Sequence, residues 1–142
     1  MVTPQQPTTN RTTYRVIYGD TDQMGVVYYA NYLRWFEKGR SEWLRQIGRP
    51  YAGIESLGLH FPVVDVHCKY FQSAHYDDVI VIETTLNVVN RASLVFTYRI
   101  LREADQYMLA EGTTKHACVD HSGKLMRLPQ ELVDALGAGS AT

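Results

Sequence analysis

One long helical repeat stands in this chain between a strand-like segment and four more, and that order limits the folds open to it. From Ala30 to Ile47 the apolar side chains fall at Leu33, Phe36, Trp43, Leu44 and Ile47. Gaps of three and four residues line up one helix face. Tyr29 and Tyr32 widen the stripe, while Arg34, Glu37, Lys38, Arg40 and Glu42 fill much of the rest. Gly39 sits mid-helix, where it costs about 1 kcal/mol relative to Ala, so close approach of another backbone is expected there. Gly48 and Pro50 end the segment. Such a helix is about 25 Å long, which matches the width of about five strands spaced roughly 4.8 Å apart.

The flanking segments alternate. Residues 12–18 place Tyr14, Val16 and Tyr18 on one face, and 62–72 do the same with Val64, Val66, Cys68 and Tyr70. Residues 78–89 align Ile80, Ile82, Leu86 and Val88, and 93–102 align Leu94, Phe96, Tyr98 and Ile100. Asn90-Arg91-Ala92 between them reads as a tight hairpin turn. In 107–119 one face is Met108, Ala110, Gly112, Thr114, His116 and Cys118. Several of these are small, so a thick helix could lie close. Residues 51–60 form a short link, and Pro129 opens a short helix to 136. Strands joined by short turns after one helix indicate an antiparallel sheet in an α+β domain. One domain is expected over residues 12–137, with disordered tails at 1–11 and 138–142.

Composition removes several classes of function. With 14 basic and 15 acidic residues the net charge is -1, so no basic excess points to nucleic acid or an anionic membrane. No apolar run approaches transmembrane length. The N-terminal MVTPQQPTTNRT lacks the apolar core of a signal peptide, and a cytoplasmic protein is expected. Cys68 and Cys118 form no CxxC pair and no metal-ligand spacing; both read as reduced thiols. GDTDQMG starts like a calcium loop but has Met24 where an oxygen ligand is needed and Asn31 where a bidentate Glu is needed. No metal and no cofactor is expected. His67, His75, His116 and His121 are scattered and read as structural or exposed.

The chemistry is concentrated between Tyr18 and the helix. Asp20 and Asp22 flank one residue, Gly25 turns the chain, and Tyr28, Tyr29 and Asn31 lie at the helix start. Loop aspartates form Asx turns and cap helices. A carboxylate can also face a cleft, and spacing alone does not say which aspartate does so. Unsatisfied N–H groups in a first turn can stabilise an oxyanion.

The run Y-x-D-T-D-x-x-G-V-V-Y-x-A-N-Y-L-x-x-F-E, from Tyr18 to Glu37, resembles the signature of the 4-hydroxybenzoyl-CoA thioesterase-like acyl-CoA thioesterases. These hotdog-fold enzymes include the Tol–Pal-associated thioesterases of bacteria. The resemblance extends to Trp43-Leu44, Tyr76-Asp77-Asp78 and Arg91-Ala92-Ser93-Leu94. It implies a five- to six-stranded antiparallel sheet wrapped around the long helix. It implies hydrolysis of a small or medium acyl-CoA, aliphatic or aromatic, with Asp22 as nucleophile or general base. The backbone N–H of Tyr29 would polarise the carbonyl, and Asp20 would hold the loop. Many Tol–Pal-associated members carry His where Tyr29 stands, and aromatic-hydrolysing members carry Tyr, which favours the backbone role. Tyr18, Gly25, Asn31, Arg91 and Ser93 are the implied substrate-binding set, with Lys69 and Lys115 as weaker basic candidates. Glu37, on the helix, is a second possible carboxylate. Homodimers assembling to tetramers are implied, with an acyl carrier protein as a second candidate partner. The competing class is a hotdog protein that binds an acyl chain without turning it over.

Overall fold

A computed structural model describes residues 8–137. Strand β1 (Thr9–Arg15) precedes a 3-10 turn, Tyr18–Asp20, and helix α1 (Asn31–Gln46). Helix α2 (Tyr51–Glu55) leads into β2 (Val63–Tyr70), β3 (Val79–Val89), β4 (Ser93–Arg102) and β5 (Met108–Ala117), and α3 (Gln130–Gly137) follows. The five strands form one sheet in the order β1-β3-β4-β5-β2, every neighbouring pair antiparallel. This is the hotdog arrangement, with α1 packed on one face. Among the described residues no helix is long and apolar enough to cross a membrane.

Helix α1 buries Tyr32, Trp35, Phe36, Gly39, Trp43 and Leu44. Phe36 stacks on Tyr98 with ring centroids 4.3 Å apart, and Trp43 meets Phe96 edge-on at 5.7 Å. The helix ends in a Schellman motif. Gly48 takes φ +80°, its N–H bonds Arg45 O at 3.0 Å, and Arg49 N–H bonds Leu44 O at 2.8 Å. The small face of β5 does what its composition suggests: a Cβ on Gly112 would lie 2.7 Å from two ring carbons of Phe36.

Five expectations are corrected. Strand β1 starts at Thr9, so residues 9–11 are sheet rather than tail. Their partners are Thr85, Thr84 and Glu83, and Asn10 Nδ2 donates to Gln46 Oε1 at 2.8 Å. (The remaining tail residues, 1–7 and 138–142, lie outside the described ones.) Tyr18 is in the 3-10 turn and exposed, not on β1. Helix α1 runs along the strands instead of across them: Trp35 packs on Tyr14 near the end of β1, and Gln46 reaches Asn10 near its start. Gly39 answers to side chains, not to a backbone, since its Cβ would overlap the Thr84 hydroxyl and sit 2.7 Å from Ile82 Cγ2. Leu33 is partly exposed, and Trp35 takes its place in the buried stripe.

The two sheet edges differ. Strand β1 lies against α1. Strand β2 is open, with Val63, Val64, Val66 and Tyr70 all exposed. An apolar edge with unpaired backbone groups is a template for another strand.

Candidate active site

The loop between β1 and α1 is a small hairpin of its own. Thr21 and Val27 form an antiparallel bridge. Asp22 N–H bonds Val26 O at 2.9 Å, and Gly25 N–H bonds Asp22 O at 3.0 Å. Gly25 has φ +80°, a conformation open to glycine at no steric penalty. Buried Val27 pins the hairpin, its N–H donating to Ala74 O at 2.9 Å.

The two aspartates have different surroundings. Asp20 Oδ2 accepts the Tyr14 hydroxyl at 2.7 Å and Ile17 N–H at 3.0 Å. Its carbonyl accepts Tyr28 N–H and Asn31 Nδ2, both at 2.9 Å. Asp20 therefore ties strand, loop and helix start together, and Asn31 is one of those ties. Bonding to Asp20 also raises the Tyr14 phenol to about 12, burial being the larger cause. Asp22 makes a lighter commitment: Oδ1 accepts Met24 N–H at 2.8 Å in an Asx turn. Among the described residues Oδ2 has no hydrogen-bond partner, and the side chain is half-buried. One oxygen is fixed and the other is available.

The helix start offers a donor nearby in the chain. Ala30 caps α1 without any side-chain bond. Tyr28 N–H goes to Asp20, and Asn31 N–H to Tyr28 O. Among the described residues the N–H of Tyr29 has no acceptor. Its carbonyl accepts the Tyr70 hydroxyl at 2.9 Å, which fixes the peptide against the end of β2. The Tyr29 ring packs 4.8 Å from that of Tyr28. The Tyr28 phenol is pushed up, first by the Tyr29 hydroxyl and least by the charge of Asp22. Tyr18 lies edge-on to Tyr76 at 5.8 Å, both exposed.

Arg91 and Ser93 stand elsewhere. They occupy the β3–β4 hairpin, at the end of the sheet where Ser93 pairs with Ala117 and Val63 with His116. The Asp22 loop is at the other end, where Tyr70 pairs with Ala110. Within one subunit the two groups do not meet. Arg91, Ser93, Lys115 and Val64 line a shallow groove.

A second feature was not visible in the sequence. A cavity of about 260 Å³ lies beside α1. Glu37, Arg40, Ser41 and Leu44 face it from the helix, at intervals of three and four residues. Leu94, Phe96 and His116 face it from the sheet. His116, expected to be structural or exposed, is buried and bonded at both nitrogens: Nε2 with Thr114 Oγ1 at 2.7 Å and Nδ1 with Phe61 O at 3.0 Å. Burial, with a smaller contribution from the Arg40 charge, lowers it to about 4. The helical period that revealed the apolar stripe also carried this second stripe, but its charged members looked like surface. Among the described residues no three His, Cys, Asp or Glu side chains gather as a metal site.

Residues 16–136 match the model of the thioesterase-like superfamily, and the chain belongs to that family. It is 39% identical to the acyl-CoA thioesterase YbgC of Haemophilus influenzae over 107 residues, 75% of this chain and 77% of that one. It is 35% identical to the acyl-CoA thioester hydrolase YbgC of Escherichia coli over 120 residues, 84% and 89% of the two chains. The DHNA-CoA thioesterase of Staphylococcus aureus superposes with a TM-score of 0.85 at 29% identity, covering 89% of this chain and 87% of that structure.

Proposed function

We propose that this chain hydrolyses acyl-CoA thioesters to free acid and CoA, with Asp22 as the catalytic carboxylate. The observation that carries the reading is the asymmetry of that carboxylate: Oδ1 is held by Met24 N–H, while among the described residues Oδ2 is left unbonded and the Tyr29 N–H at the helix start is unused. The thioester carbonyl accepts from Tyr29 N–H, at the positive end of α1, and negative charge develops on its oxygen there. Asp22 Oδ2 then acts in one of two ways. As a base it takes a proton from water while the hydroxide oxygen bonds the carbonyl carbon and CoA leaves as thiolate. As a nucleophile it bonds the carbonyl carbon itself while CoA leaves as thiolate, and water later cleaves the anhydride at the Asp22 carboxyl carbon, releasing the acid. Oxygen-18 water in a single turnover distinguishes them, because only the second route places label in Asp22.

The working unit is a dimer joined along β2. Antiparallel pairing of two copies, centred on Val66 and His67, sets Val63 of one against Tyr70 of the other. It also continues the sheet and covers the exposed valines. Arg91, Ser93 and Lys115 of one copy then approach the Asp22 loop of the other, which is how a single basic mouth for the CoA phosphates arises. Pairs of such dimers form the tetramer. An acyl carrier protein presents the same thioester arm and is a second donor. The reaction is placed in the cytoplasm, in keeping with two free cysteines.

The relatives' names span acyl-CoA in general and DHNA-CoA. The test is thiol release by the wild-type protein across short aliphatic, medium aliphatic and aromatic acyl-CoAs. Turnover of at least one group supports the proposal, and no release from any refutes it.

A further inference from the structure

The cavity beside α1 has largely apolar walls and two charged side chains, the cation Arg40 and the carboxylate Glu37. Leu44, Ile54, Phe61, Leu94 and Phe96 supply much of the wall, and Arg40 supplies the positive charge. None of the ion pairs among the described residues includes Arg40. A guanidinium carries five N–H donors and no acceptor, and a charge in apolar surroundings is ordinarily paired.

The groups around Arg40 leave those donors available. Phe61 O can only accept, so His116 Nδ1 carries the proton and donates to it. His116 Nε2 is then an acceptor and takes the Thr114 hydroxyl proton. Thr114 Oγ1 in turn takes the Tyr98 hydroxyl proton, at 2.6 Å. The chain of bonds has one direction and ends on a backbone carbonyl. The Arg40 charge acts on the Tyr98 phenol against the effect of burial. One neutral oxygen cannot occupy five donors. Glu37 lies one turn before Arg40 on the same face, but it is exposed and unpaired with it.

We propose that this cavity receives the distal end of the acyl group and that Arg40 selects acyl groups ending in a carboxylate. The substrate class is ω-carboxyacyl thioesters. This rests on the thioesterase reading above. Pro62 and Val63, at the start of β2, border the cavity. In the paired dimer that point faces Tyr70 of the partner subunit, which carries the helix start and Asp22 loop of the second copy. The thioester would lie at the mouth and the acyl chain would run inward to Arg40. A volume of 260 Å³ holds about nine water-sized atoms at roughly 30 Å³ each. A glutaryl group is of that size, with a terminal carboxylate at the reach of the guanidinium.

The experiment compares kcat/KM for glutaryl-CoA and the length-matched pentanoyl-CoA. The wild type should prefer glutaryl-CoA. Arg40→Met should lower the glutaryl-to-pentanoyl ratio by at least about tenfold, the scale of a lost charge-assisted bond. Arg40→Lys should keep part of the preference. If Arg40→Met does not fold, Arg40→Gln carries the same comparison. An unchanged ratio, or a wild type that favours pentanoyl-CoA, overturns the proposal. If no thioester is hydrolysed, the thioesterase reading fails, and calorimetry with glutarate judges the cavity alone. Binding that is lost in Arg40→Met or Arg40→Gln supports the cavity assignment. Equal or absent binding in wild type and variant overturns it.

Discussion

Replacing Gly39 by Ala sets two opposed effects against each other, and the packing of α1 decides the sign. In an exposed helix the exchange stabilises by about 1 kcal/mol. Here the added Cβ would overlap the Thr84 hydroxyl and lie 2.7 Å from Ile82 Cγ2. Thr84 is fully buried and Ile82 Cγ2 is fixed to a strand Cβ, so neither can swing clear. To restore a carbon–carbon contact of about 3.5 Å the helix must rise by roughly 0.8 Å. A gap of that size forfeits a quarter to a half of each dispersion contact across it, and α1 buries six residues. Overpacking of this kind costs about 1–3 kcal/mol. Against the propensity gain of about 1 kcal/mol, we expect a net loss of up to about 2 kcal/mol, or a fall in Tm of up to roughly 4–8 °C. Calorimetry at one fixed protein concentration measures it, because the proposed dimer would make Tm depend on concentration. Gly53→Ala is the control: nothing lies within 4 Å of its Cβ, so it should be neutral or stabilising. A Gly39→Ala protein with a higher Tm than wild type would refute the close packing of α1 on β3.

Three further predictions follow from the site. His116 is held at about 4 against an ordinary 6.5, so the unfolded chain binds the proton more readily. Its contribution to stability is complete above about pH 6.5 and is lost as pH falls toward 4, by about 3 kcal/mol in all; His116→Gln should flatten urea-derived stability over that window, and an equal slope would contradict the buried neutral imidazole. Asp20→Ala should destabilise the protein by about 1–3 kcal/mol and lower activity with it, because Tyr14, Ile17 and the start of α1 lose a shared anchor; unchanged Tm would contradict the structural role. Mixing Asp22→Asn with Arg91→Ala subunits should restore activity above that of either variant alone, since one site of each mixed dimer would be whole, whereas a purely additive mixture would place the site within a single chain.

The helix, its stop and the strand alternation were legible because each rests on local periodicity. Leu44, Phe36 and Trp43 mark one face of α1, and Gly48 ends it for a steric reason. The small side chains of β5 foretold the close approach that Phe36 and Gly112 make. What could not be read depends on tertiary placement. The length of α1 fits a path across the sheet as well as along it, and only the contacts with Tyr14 and Asn10 decide. Thr9 to Arg11 look like a polar tail, yet the ladder with β3 holds them. The valines of β2 have the pattern of a covered strand, but the strand order leaves them at an edge. Arg40 has the spacing of a surface charge and acquires its meaning from the cavity that β4, β5 and α2 build in front of it. The division of labour between Asp20 and Asp22 likewise awaited the hydrogen bonds that distinguish them.

The most direct test is the rate of Asp22→Asn on the best acyl-CoA, measured with the thermal midpoint of the same preparation. Asparagine can keep the Oδ1 bond to Met24 N–H, so the loop should hold and Tm should stay close to wild type. Without the carboxylate at Oδ2, kcat should fall by at least about 10²-fold. A folded Asp22→Asn protein that releases thiol as fast as wild type would contradict the account.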